Sequence, residues 1–311
     1  MPVATTTSPP FSTNTHSRRR RRCGLLPVAR PRPRVAPVSG QDGSNDTLNG
    51  KRAIVTGAGA GIGAEISLRL AAAGATVMTT DVDPDTARTS AVACSEVGPA
   101  ALSARLDVSD PDEVRRLFSR VPDELGGLDI LVNNAGILHA DPALFDLALE
   151  TTEAQLGEAL SGQPVTTHWE LIERTSDEAF DRMLKVHLYG TFYCTREALG
   201  IMRRAGSGGR IINMGSIMGT ASHSGAPDYC AAKGAILAFT RATAREGASY
   251  GVLANAIAPG FIDTAMTSGL KGSTRDILAQ QTPLGRFGTA AEIADAALFL
   301  AGPGSSFMTG Q

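Results

Sequence analysis

From Asn49 onward the chain alternates short apolar runs with longer stretches of helical period. Ala53-Ile54-Val55 is an apolar run that ends in a glycine-rich turn. Ile66, Leu68, Leu70 and Ala73 then recur at helical spacing until Gly74 stops them. Residues 76–79 read as a second strand closing at Asp81, and 84–97 as a helix. Residues 101–106 and 128–132 read as strands three and four, with a helix over 110–125 between them. Strands alternating with helices in this way predict βαβ units and a parallel sheet. Right-handed crossovers then place helices on both faces.

The rhythm breaks after Gly136. Residues 137–174 form a stretch of 38 residues before the next clear helix, where about 2–6 residues usually suffice for a connection. The stretch is acidic, with helix-like pieces at 144–149 and 154–160, and reads as a helical insert within one domain. Thr175-Ser176-Asp177-Glu178 resembles a capping box launching one long helix to Met202. Strands are expected at 209–214 and 253–258, helices at 229–250 and 290–300, and a loop-rich stretch from Pro259 to Gly288.

Composition narrows the function. The apolar fraction of 42% fills a core, and aromatics at 5% do not suit a base-stacking nucleic-acid binder. Residues 1–47 hold eight Arg, no Lys and two acids, whereas the rest carries 21 basic against 29 acidic side chains. That body offers no basic footprint for nucleic acid. The tail, rich in Ser, Pro and Arg, reads as a disordered extension or as an organelle transit segment. Cys23, Cys94, Cys194 and Cys230 lack metal-ligand spacing, so no metal site is expected. They read as reduced thiols of a cytoplasmic protein, or an organellar one if the tail is a transit peptide. No apolar run approaches the length of a membrane helix.

Thr56-Gly57-Ala58-Gly59-Ala60-Gly61-Ile62-Gly63 lies between a strand and a helix. Glycines there permit a tight turn and close approach of backbone to a pyrophosphate, at a helix end whose N–H groups and dipole favour anions. Asp81 ends the second strand, 18 residues past Gly63. A carboxylate at that place accepts hydrogen bonds from ribose hydroxyls and repels a 2′-phosphate, which favours NAD over NADP. Tyr229 and Lys233 are four apart, hence on one face of a helix. An adjacent ammonium is expected to lower a tyrosine pKa that is ordinarily near 10. The pair can then exchange a proton with an alcohol or carbonyl oxygen. Ser216, thirteen residues before Tyr229, follows a strand and can bind the same oxygen.

Together these residues give residues 50–311 a close resemblance to the short-chain dehydrogenase/reductase family. It is carried by Thr56-Gly57-x3-Gly61-Ile62-Gly63, Leu106-Asp107-Val108, Asn133-Asn134-Ala135-Gly136, Ser216, Tyr229-x3-Lys233 and Pro259-Gly260. The resemblance implies a Rossmann-like doubly wound parallel sheet in three α/β/α layers, with residues 48–311 as one dinucleotide-binding catalytic domain. It implies that Asp107 and the Val108 backbone lie near adenine, and that Asn133, Asn134, Ala135 and Gly136 line the cofactor cleft. Pro259, Gly260, Ile262 and Thr264 complete that cleft, with Thr264 at the carboxamide. Lys233 holds the nicotinamide ribose, Ser216 orients substrate and Tyr229 passes the proton. It also implies a homodimer or homotetramer.

Three features depart from the family pattern. His187 stands where the family has Asn, in a position that helps hold a water linking Lys233 to solvent; a His there would make the relay pH-sensitive. The 137–174 insert leaves the carboxyl end of the fourth strand, where it can cover the site or mediate subunit contacts. Met308-Thr309-Gly310-Gln311 resembles the lead-in to a last strand, which is expected to be missing. The expected function is hydride transfer between NAD(H) and a secondary alcohol or ketone, of hydroxyacyl-thioester, steroid-like or polyol type. The alternatives are an NADPH-dependent 3-oxoacyl-carrier-protein reductase and a nucleotide-binding protein or fragment without turnover.

Overall fold

The computed structural model describes residues 47–311, apart from 163, 223 and 271. The expectation of a tail at 1–47 thus falls almost wholly outside the described residues. Six strands, β1 (Arg52–Thr56), β2 (Thr76–Asp81), β3 (Leu102–Arg105), β4 (Ile130–Asn133), β5 (Gly209–Met214) and β6 (Val252–Ile257), form one parallel sheet in the order β3-β2-β1-β4-β5-β6. This is the doubly wound order, whose crevice opens at the β1/β4 switch point.

The central strands are apolar on both faces, as a sheet covered on both sides requires. In β1, Ala53 and Val55 pack on one side, with Ile66 and Leu70 of α1 (Gly61–Ala72), Cys94 of α2 (Pro84–Val97) and the last long helix. Ile54 points the other way, toward Val114, Leu117, Phe118 and Val121 of α3 (Pro111–Glu124). Asp83 and Asp110 cap α2 and α3, each followed by proline in the first turn.

The insert differs in detail from the expected two pieces. It forms one helix, α4 (Pro142–Leu160), capped by Asp141. No Gly or Pro separates the two apolar pieces, so one helix runs through both. The short α5 (Leu171–Arg174) follows. Ser176 caps α6 (Asp177–Leu184) alone: its side chain accepts from Ala179 N–H, so Glu178 is not placed to close a capping box. The long helix expected next is interrupted by a π-turn at Lys185–Tyr189 before α7 (Gly190–Ala205).

Downstream come α8 (Pro227–Gly247), a two-strand ribbon of β7 (Ile262–Asp263) and β8 (Gly288–Thr289), α9 (Gly272–Gln281) and α10 (Ala290–Ala301). Helix α9 falls within the stretch expected to be loop. The last residues lie along the open edge of β6: Gly310 N–H donates to Ala254 O, and Ala256 N–H to Gln311 O, both at 2.7 Å. The place of the strand expected to be missing is therefore occupied at its start. Among the described residues no helix is long and apolar enough to cross a membrane.

Candidate active site

The crevice begins at the turn between β1 and α1. Gly57 and Gly61 have φ of +62° and +56°, a region that side chains other than glycine's rarely adopt. At Gly63 a Cβ would lie 2.1 Å from Gly57 O and 2.4 Å from Asn134 Nδ2. Asn134 clamps the turn by donating to Thr56 O and Gly57 O at 3.1 and 2.9 Å. Thr56 Oγ1 in turn accepts from Asn134 and Ala135 N–H. Helix α1 has no side-chain cap and no acid in its first turn. Its leading N–H groups and positive dipole end are left for an anion outside the chain.

Asp81 reaches back to this turn. Its Oδ2 accepts from Gly59 N–H at 2.9 Å and its Oδ1 from Asp83 N–H at 3.1 Å. A carboxylate has about four acceptor sites, so capacity remains on both oxygens. Asp107 accepts from Ser109 N–H and Oγ–H, which pins the bend after β3. Val108 is buried against Gly190 of α7, where a Cβ would lie 2.7 Å from its methyl.

Asn133 is placed differently from its neighbours. Its side chain turns into the protein, donating to Thr195 Oγ1 and Asn213 Oδ1, and Asn213 continues to Thr240. That buried polar row ties β4 to β5, α7 and α8, so Asn133 offers the crevice only its backbone. Asn134, expected only as one of the cleft-lining residues 133–136, does the side-chain work there. Thr56 was named only as the head of the glycine-rich motif, without the role its hydroxyl has here. A polar residue at the carboxyl end of the first strand and a second Asn beside Asn133 were the available signals.

Ser216, Tyr229 and Lys233 meet opposite the turn. Ser216 leaves β5, accepts from Met218 N–H at 3.1 Å and is hydrogen bonded to Tyr229. Ile217 N–H donates to Pro259 O, joining the loops after β5 and β6. Tyr229 and Lys233 stand one turn apart at the start of α8. Lys233 is buried; its Nζ donates to Met214 O at 2.8 Å and lies 5.5 Å from the centre of the Tyr229 ring. The expected lowering of the tyrosine pKa by this ammonium is not what the geometry gives. Burial pushes the Tyr229 hydroxyl up, opposed by its hydrogen bond to Ser216. Burial also drops Lys233 to about 7.

His187 sits inside the π-turn, fully enclosed. Its Nε2 lies 2.8 Å from Ile137 O and 3.1 Å from Ile137 N, and its ring meets the Tyr229 ring edge-on at 5.3 Å. Gly136 makes room for it: a Cβ there would lie 2.4 Å from the imidazole. Nδ1 is buried without a protein partner. Burial, with the Lys233 charge adding to it, drops the ring to about 3. At that value the ring is neutral near pH 7.

Tyr229, Ser216 and His187 open on one cavity of about 320 Å³. Gly136, Ile62, Pro259, Gly260, Ile262 and Thr264 line it, so these expected nucleotide residues share one space with the Ser/Tyr/Lys group, whereas Gly57, Gly61, Gly63, Asp81, Asp107, Val108, Asn133 and Ala135 do not line it. The insert supplies a wall of this space through α4. Met218, in the turn after Ser216, lines the cavity as well.

A family model described as short chain dehydrogenase matches residues 51–274. The chain belongs to the short-chain dehydrogenase family. It is thus an oxidoreductase of the class that acts on CH–OH groups with a nicotinamide cofactor. It is 36% identical over 265 residues to the 3-oxoacyl-[acyl-carrier-protein] reductase of Vibrio cholerae, covering 85% of this chain and 95% of that one. It is 35% identical over 258 residues to the cis-4-hydroxycyclohexanecarboxylate dehydrogenase of Sinomonas cyclohexanicum, covering 83% and 92%. The crystal structure of a short-chain type dehydrogenase/reductase from Mycobacterium marinum superposes with a TM-score of 0.71 at 32% identity, over 86% of this chain and 94% of that one.

Proposed function

We propose that this protein interconverts a secondary alcohol and a ketone with NAD(H), using Tyr229 as the acid/base. The observation that carries this reading is one cavity lined by Ser216 and Tyr229 on one side and by Ile62 of the glycine-rich turn and Asn134, which clamps that turn, on the other. The uncapped α1 end and the missing side chain at Gly63 fit a pyrophosphate, and Asp81 fits the adenosine ribose. The nicotinamide, when bound, supplies or removes the hydride. Ser216 holds the substrate oxygen. In reduction Tyr229 gives that oxygen its hydroxyl proton; in oxidation the phenolate takes the proton back. Lys233, anchored on Met214 O, brings positive charge behind the phenolate as it forms. The raised pKa of buried Tyr229 suits the acid role.

His187 takes a fixed place behind Tyr229 as a neutral positioning residue. Its unpartnered Nδ1 is a ready partner for one buried water. The exposed aromatics Tyr189 and Phe192 on one stretch of helix, with Phe192 6.0 Å from Phe239 of α8, support self-association through α7 and α8. Light scattering on the purified chain tests it.

The deciding assay follows NADH absorbance across a panel of secondary alcohols and ketones, with Tyr229→Phe as control. Turnover at full rate in that variant refutes the mechanism. A second reading, a 3-oxoacyl-carrier-protein reductase using NADPH, is favoured by the Vibrio cholerae relative. Asp81 beside the turn argues for NAD, and running both cofactors in one assay separates the two readings.

A further inference from the structure

Helix α4 carries Phe145, Ala148, Leu149, Thr152 and Leu156 on one stripe, and all five line the cavity. The helix has 19 residues, yet only Thr151 is fully buried. An apolar stripe normally packs on a core; this one faces open space shared with Tyr229. Across that space α9 presents Thr274, Ile277 and Leu278. The two walls meet at Phe145, whose ring would lie 3.3 Å from a Cβ on Gly269, just before α9. Phe145 is also stacked on His139 at 3.8 Å. On the other side Trp169 and Ala148 close on Gly225 in the approach to α8, at 3.0 and 3.4 Å from a Cβ there. A loop after α4 is tied back to it: Glu158 accepts from Thr166 and Thr167, and Gln155 donates to Thr167 O. The insert is therefore a braced wall. Among the described residues Lys233 is the one charged side chain lining the cavity, and it is engaged with Met214 O.

We infer that the insert makes this site selective for an uncharged substrate with a hydrocarbon body, whose carbonyl sits at Ser216 and Tyr229 while its chain or ring fills the slot between α4 and α9. Phe145, Leu149, Leu156, Ile277 and Leu278 set how much hydrocarbon is accepted. This rests on the alcohol/ketone reading for the position of the reacting carbon. Polyols are disfavoured, since each hydroxyl placed along these walls loses its hydrogen bonds to water. A terminal carboxylate is disfavoured more strongly, because ionised groups cost the most to desolvate.

The test separates binding from turnover. Methyl ketones from 2-butanone to 2-decanone, together with 9-oxodecanoate, are titrated into the full chain with NAD⁺. Ketone and NAD⁺ are both oxidised, so nothing reacts. Trp169 is the sole tryptophan of the sequence, and its fluorescence reports the slot. Affinity is expected to rise about two- to fourfold per methylene until the slot is full, and 9-oxodecanoate to bind at least about tenfold more weakly than 2-decanone. Leu149→Arg is expected to reverse that last preference, with Leu149→Met as the conservative variant that retains it. Flat affinity along the series, or tighter binding of the keto acid by the unaltered chain, overturns the inference. The same ketones with NADH then test turnover: binding as expected without turnover defeats the alcohol/ketone reading and leaves the apolar slot standing. Turnover with flat chain-length dependence does the reverse.

Discussion

At the glycine-rich turn an added methyl at Gly63 would collide with Gly57 O at 2.1 Å, and Asn134 locks both strand ends to the turn by its amide. Across the cleft, α4 shows a half-buried apolar stripe with one fully buried residue in 19. The first region is determined by backbone contacts, so nearly every atom is specified. The second is determined by side chains facing space, so shape and polarity can change while the fold persists. Chemistry common to a family belongs on the first kind of surface, and choice of substrate on the second.

The comparison can be broken most sharply at Tyr229, where the two regions meet. Tyr229→Phe is expected to lower kcat about 10³-fold with little change in NAD affinity, read by steady-state kinetics and titration calorimetry. Gly63→Ala is next. The Cβ meets backbone, so the strand-turn-helix junction must shift, at a cost of about 3 kcal/mol in unfolding free energy and a clear weakening of NAD binding. A stable variant with unaltered NAD affinity would show the turn to be softer than its contacts.

His187 yields a pH prediction. The folded ring has its pKa at about 3, against about 6.5 when unfolded. As pH falls below 6.5 the unfolded chain binds a proton that the folded chain refuses, so stability is lost from 6.5 down toward 3. At pH 5 the loss attributable to this ring is about 2 kcal/mol. His187→Asn is expected to flatten the difference between urea midpoints at pH 7 and pH 5 by that share, while the kcat profile between pH 6 and 8 keeps its shape. An identical stability slope in the variant would show that the ring protonates in place. The smallest effect is expected at Asp81: Asp81→Ser shifts the ratio of kcat/KM for NAD over NADP by about tenfold toward NADP, roughly 1.4 kcal/mol. Its carboxylate also braces Gly59, so thermal unfolding should be followed alongside.

The alternation of strands and helices and the spacing of Ser216, Tyr229 and Lys233 were legible because each rests on local signals: apolar runs, a glycine turn, a spacing of four; the order of the strands was not. What escaped depended on the third dimension. Asn133 and Asn134 are chemically identical in sequence, and only the pleat sends one into the sheet–helix layer and the other to the turn. The raised Tyr229 and lowered Lys233 pKa values come from burial, which a spacing does not report. Helix α9 was hidden among glycines, since Gly272 can begin a helix as readily as it marks a loop. The insert was visible as an excess of length, but its role as a wall required knowing what stood opposite.

The π-turn at Lys185–Tyr189 has a consequence for how this chain tolerates changes in length. Gly190 N–H reaches back five residues to Lys185 O, so the helix holds one residue more than an α-helical path through the same span. The widened turn absorbs that residue, so Met183 on one side and Gly190, Cys194 and Ala198 on the other all face inward. Deleting one residue from 185–189 would let a regular α-helix follow the same path, with Gly190 still against Val108, while His187 loses the widened turn that holds it behind Tyr229. The loss of one residue here would thus be expected to spare the fold and to be felt at the site, through the place of His187.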